Sequence, residues 1–154
     1  MDKNFKKYTW LDRGSDERQY CSPGIDLPIA SIMRTKYNEY KEYHTSLDNL
    51  KNVVTPKGLE GGYTALKLAL ELIEKNNKFL VTNLCEPHMN KRNLYPKIPS
   101  TKLSKKTKLI MDFVSYCDGK KTLIEISDEL KRPAWELYDI IKILTNHKII
   151  KLVK

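Results

Sequence analysis

Disulfide-forming and membrane-spanning elements are what this chain has least of. Its 154 residues include three cysteines, Cys21, Cys85 and Cys117, which are widely spaced, odd in number and without a CxxC pair. That usage fits reduced thiols better than a disulfide framework. No apolar run approaches the ~20 residues a membrane helix needs, and the opening MDKNFKKYTW lacks the apolar stretch of a secretory signal. A cytoplasmic protein that does not enter a membrane is expected. Hydrophobic residues at 40% and charged residues at 31% give a globular balance, which excludes disorder over most of the chain. The length admits one ordinary domain or two small ones.

The formal charge of +9 raises the question of a polyanionic partner. From Lys102 onward there are twelve Lys or Arg against seven Asp or Glu, leaving sixteen against twelve before it. Both parts are mildly basic, and a solvated surface is the favoured reading over one clustered basic face.

Residues 1–55 are rich in Tyr, Pro, Gly and Ser, with short apolar pieces such as LPIASIM at 27–33, so strands and functional loops are expected there. Tyr63, Leu66, Leu70 and Ile73 then recur at spacings of three and four, predicting an amphipathic helix that starts near Thr55-Pro56 and ends by Asn76-Asn77. Phe79 to Val81 reads as a short strand or a trailing contact of that helix. Pro87, Pro96 and Pro99 favour irregular backbone over the following segment. The expected domains are therefore 1–99, a linker at 100–103, and a module over 104–154.

Three helical patterns follow in that module. Leu109, Ile110, Phe113, Val114 and Cys117 mark the first, ended by Asp118-Gly119. The second opens with Thr122 and Glu125 in capping-box spacing. Pro133 starts the third, which carries Ala134, Leu137, Ile141 and Leu144 on one face, and a β-branched run at 149–153 predicts a strand. That order is a winged helix-turn-helix whose wing has one strand instead of two. The third helix offers Trp135, Glu136 and Asp139 where a DNA reader places donors, and carboxylates cost affinity for a polyanion. Packing on its own chain or on a partner subunit is favoured over DNA.

The densest polar stretches are GSDERQYCSPG at 14–24 and EYHTSLDN at 42–49. Clusters of chemically able residues in loops mark candidate sites. The His44 imidazole is a candidate zinc ligand, with Asp48 or another acceptor holding its second ring nitrogen. A hydrogen-bonded structural histidine is the competing reading. Cys85 and His88 of the CEPH run are too few ligands for a metal, and Tyr37, Tyr40 and Tyr43, recurring at threes, are expected to pack on a sheet.

LDRGSDERQYCSPGIDLPIASIMRT, EYHTSLDNL and NLCEPHMNKRNLYP, in this order over residues 9–99, resemble the closing portion of a bacterial family described as aminopeptidase-like, often associated with surface-polysaccharide biosynthesis genes. The resemblance implies an α/β class of fold, part of a zinc-exopeptidase-like mixed sheet flanked by helices, followed by a small winged-helix module. It places His44 at the last metal ligand of related dizinc aminopeptidases and brings Ser15 through Tyr20 to the same cleft. Glu17, Arg18 and Tyr20 would then bind substrate, Arg18 and Tyr20 holding a carboxylate or oxyanion while Glu17 orients Arg18. An internal Glu17–Arg18 ion pair is the competing reading.

The family's upstream histidine, bridging aspartate and catalytic glutamate have no counterparts here, because the region that would hold them lies before Met1. Zinc hydrolysis needs about three protein ligands per metal and a general base. The expectation is therefore a portion of a zinc aminopeptidase-like protein, metal-dependent in complete form, with no catalytic residue of its own and inactive alone. The alternative is a binding module for a protein or nucleic acid. A companion chain or a second copy pairing with an open sheet edge is the expected partner.

Overall fold

The computed structural model describes residues 5–85, 87–92, 94 and 104–153. The expected linker at 100–103 lies outside them. Contacts divide the chain into two units, Met1–Ala69 and Leu70–Lys154.

The first unit is built from turns and helix. Thr9 caps a 3-10 turn at Trp10–Asp12, its backbone and hydroxyl both donating to Asp12 Oδ2 at 3.1 Å. Helix α1 (Ser15–Tyr20) follows. The chain then runs through successive turns to helix α2 (Pro56–Lys75). That helix starts and stops where its sequence signals stand: Thr55 Oγ1 accepts from Gly58 N at 3.1 Å and Pro56 occupies the first turn. The strand expected at 27–33 does not form, and no strand occurs among the described residues before Lys78. Leu27, Ile29, Ile32 and Met33 are exposed, so these apolar residues lack the neighbouring strand that would order them as sheet. Likewise, Tyr63, Leu66, Leu70 and Ile73, the expected packing face of α2, point outward with 51–70% of their surface exposed.

The second unit is a winged-helix arrangement around a three-stranded sheet. Strand β1 (Lys78–Val81) is followed by α3 (Lys105–Ser115), β2 (Asp118–Thr122), α4 (Leu123–Glu129), α5 (Tyr138–Asn146) and β3 (Ile150–Val153). A 3-10 turn at Ala134–Leu137 leads into α5. Ser104 Oγ caps α3 by accepting from Thr107 N at 3.1 Å. Thr122 and Glu125 close the capping box on α4, Thr122 N lying 2.7 Å from Glu125 Oε2. Two expectations change here. Asp118-Gly119 does not simply end a helix but opens β2, where Gly119 takes φ +82 and its Cα faces Leu80 and Val153. The sheet, moreover, is not a lone terminal strand.

Strand order is β2-β1-β3, with β1 antiparallel to both neighbours. The central strand of the winged helix thus comes from residues ahead of its three helices. It is fixed on all sides: Val81 N donates to Cys117 O at 2.8 Å, Thr82 N to Ile149 O at 2.9 Å, and Leu123 N to Asn77 O at 2.9 Å. Asn76 Oδ1 accepts from Ile124 N at 3.0 Å, which satisfies a free donor at the start of α4. Phe79 is buried and meets the Phe113 ring edge-on at 5.8 Å. Leu123, Ile126, Leu137, Leu144, Ile149 and Ile150 complete the centre of the core. Burial, with Asp118 nearby, pushes the Cys117 thiol up to about 12, so it stays protonated and inert.

A polypeptide of residues 104–154 lacks β1 and is expected to show no cooperative thermal transition by circular dichroism, whereas residues 77–154 should melt cooperatively. In the whole chain, Phe79→Ala is expected to cost about 3–5 kcal/mol. Cooperative melting of the shorter polypeptide contradicts this role of β1.

Candidate functional site

The two polar stretches singled out in the sequence fold toward one set of tyrosines. Glu17, on α1, is the first anchor. Its Oε1 accepts from Gly14 N at 3.1 Å and from Tyr37 Oη at 2.9 Å, and its Oε2 from Ser31 Oγ at 3.3 Å. The amides of Glu17 itself and of Gly14, aided by the Tyr37 and Ser31 hydroxyls, hold this carboxyl below its ordinary range. Tyr37 Oη has the Asp12 carbonyl at 3.2 Å as its second neighbour. Burial, then the bond to Glu17, raises the Tyr37 phenol above its usual value. A side chain at Gly14 would put its Cβ 2.5 Å from Tyr37 Oη, so this junction needs glycine there.

From Tyr37 the aromatic contacts run to the histidine. The Tyr43 ring lies 6.4 Å from that of Tyr37 and meets Tyr40 edge-on at 5.6 Å. The His44 imidazole stacks on Tyr43 at 4.1 Å with 16° between planes. Asp48 accepts from Tyr40 Oη at 2.9 Å, and this bond raises the Tyr40 phenol. Asp48 thereby orients Tyr40. Glu17, His44 and Asp48 are brought together through three tyrosines, which were expected only to pack on a sheet. Their spacing of three, beside both polar stretches, was the available signal.

His44 is exposed and has φ +58, and Ser15 has φ +42. A non-glycine residue held there costs on the order of 1–3 kcal/mol and tends to mark a functional position. Among the described residues, the Glu17–Arg18 ion pair does not form, since Glu17 bonds Gly14, Ser31 and Tyr37. Arg18 and Tyr20 are exposed. Among the described residues no three His, Cys, Asp or Glu side chains are grouped to hold a metal ion. Cys85 and His88 are exposed and outside any such group.

On the winged-helix surface, Trp135 is exposed and Glu136 pairs with Arg132 at 3.3 Å. Tyr138 packs on the core, with Lys75 Nζ 4.1 Å above its ring. No helix among the described residues is long and apolar enough to cross a membrane.

Comparison with known proteins agrees with this two-part organisation. Residues 1–76 match a family described as "Domain of unknown function (DUF4910)", and residues 77–152 match the winged helix-turn-helix family. A Clostridium acetobutylicum protein named "Putative polysaccharide biosynthesis protein with aminopeptidase-like domain" is 39% identical over 116 residues, covering 74% of this chain and 26% of that protein. The crystal structure of a "putative peptidase" from Clostridium acetobutylicum superposes with a TM-score of 0.78 at 31% identity, covering 92% of this chain. The chain spans 31% of that solved protein. It is thus similar to about a quarter of the protein so named, and its residues 77–152 form a winged helix-turn-helix.

The depressed carboxyl fixes a pH dependence. Bonds to ionised Glu17 are fully present above its unfolded value of 4.5 and are lost as pH falls through the lower folded value. The Gly14 amide resonance is expected to titrate with a midpoint below 4.5 and to lose that transition in Glu17→Ala. A midpoint at or above 4.5 contradicts the junction.

Proposed function

We propose that this chain provides the loop-borne substrate wall and one histidine of an aminopeptidase-like protein whose complete form hydrolyses amide bonds of peptides. The observation that carries the reading is the run Glu17, Tyr37, Tyr43, His44, with an exposed imidazole on a positive-φ backbone at its end. Arg18 and Tyr20 are exposed on the same α1 as Glu17. A guanidinium and a phenol are suited to the carboxylate or the developing oxyanion of a peptide substrate. Glu17 serves as a positioning residue, because its oxygens bond this chain's own donors.

Zinc is the metal that the aminopeptidase resemblance brings. The residues present here do not fit a zinc centre by themselves, since a single exposed imidazole falls short of the about three ligands that such a centre needs. On this reading the other ligands and the general base come from polypeptide beyond this chain, and the chain alone is inactive.

A chimera tests the reading, with this chain replacing its matched portion in the Clostridium acetobutylicum relative. The chimera is expected to hold zinc and to release amino acids from peptide substrates. His44→Ala should weaken zinc binding at least ~10-fold, and Arg18→Ala should raise KM more than it lowers kcat. Unchanged zinc affinity in the His44→Ala chimera would remove His44 from the metal site.

A further inference from the structure

We infer that the exposed face of α2 is the docking surface for the α/β body of an aminopeptidase-like polypeptide, which covers it with an apolar layer. Leu59, Tyr63, Leu66, Leu70 and Ile73 follow one another at steps of four, three, four and three residues. At 100° per residue these steps keep all five within an arc of about 80°. Each is 51–70% exposed. A second face of the same helix carries Gly58, Ala65, Leu68 and Leu72, which are buried or half-buried. A surface helix needs one apolar stripe, whereas a helix apolar on two faces belongs between two layers. The open stripe offers on the order of 600 Å² of apolar surface, at the upper end for an ordinary monomer.

The choice of occupant follows from charge and from chain length. The residues flanking the stripe are Glu60, Lys67 and Glu74. If two copies paired antiparallel about Lys67, Glu60 would meet Glu74 of the other copy and Lys67 would meet its own counterpart. Like charges there disfavour self-pairing. A parallel pair would set the same residues against Gly62 and Ala69, which gains no attraction. The mixed signs give no preference for a polyanion or an anionic membrane. The solved relative, by contrast, matches 92% of this chain over 31% of its own length, so the matched fold stands there beside about twice as much additional protein. This inference rests on the proposed function, because the occupant is the remainder of an aminopeptidase-like protein.

The test uses the whole chain and, as probe, the Clostridium acetobutylicum relative with its matched portion deleted. Size-exclusion chromatography with light scattering is expected to show a one-to-one complex. Leu66→Glu with Leu70→Glu should weaken it at least ~100-fold while leaving the far-ultraviolet circular dichroism unchanged. If that pair perturbs the fold, Leu66→Ser with Leu70→Ser is expected to weaken the complex at least ~10-fold. Absence of a complex, or a complex indifferent to both pairs, overturns the docking surface. So does a dimer of this chain that the same substitutions dissolve. Zinc content and peptide release are read separately on the complex: a complex that lacks both sinks the hydrolytic reading and leaves the surface standing.

Discussion

Apolar burial is the dominant stabilising term in a folded chain, and here it is confined to one side of residue 79. Every buried hydrophobic side chain among the described residues lies between Phe79 and Ile150, and Gly58 is the one buried residue before it. The winged helix-turn-helix therefore has a core of its own. The front part is held by turns, caps and polar junctions, each worth about 1 kcal/mol or so net. It carries apolar residues such as Phe5, Leu11, Ile25 and Leu50 in the open. Such a segment is suited to be one wall of a larger body and ill suited to be a domain by itself.

Strand β1 shows how topology decides between two readings that local pattern leaves open. Lys78 to Val81 is four residues long, too short to distinguish strand from trailing coil by pattern alone. What makes it a strand is pairing with β2 and β3, whose partner residues stand 38–44 and 69–75 positions further along the chain. A wing was expected to need a second strand after residue 153. The sheet obtains its middle member from before α3, and that strand pairs with both β2 and β3.

Local signals were legible and non-local ones were not. Thr55-Pro56, Asn76-Asn77 and the Thr122–Glu125 box marked helix ends correctly because a cap is a contact within three residues. Strand formation at 27–33 was misjudged because sheet depends on a neighbour that composition does not reveal. At the site, the two polar stretches and His44 were visible as unusual residues in loops. The tyrosines joining them were not, since their spacing of three suits packing and hydrogen bonding equally. The role of Glu17 changed for a related reason: the Gly14 amide binds it as a local cap, but the Ser31 and Tyr37 hydroxyls reach it from 14 and 20 residues along the chain.

On the proposed reading the front part takes its apolar burial from a neighbouring body, while the winged helix has a core of its own. Amide hydrogen exchange of the isolated chain, read by mass spectrometry, measures this directly. Peptides from residues 5–55 should exchange at least ~100-fold faster than those from residues 105–150 under native conditions. Equal protection across both parts would contradict the account.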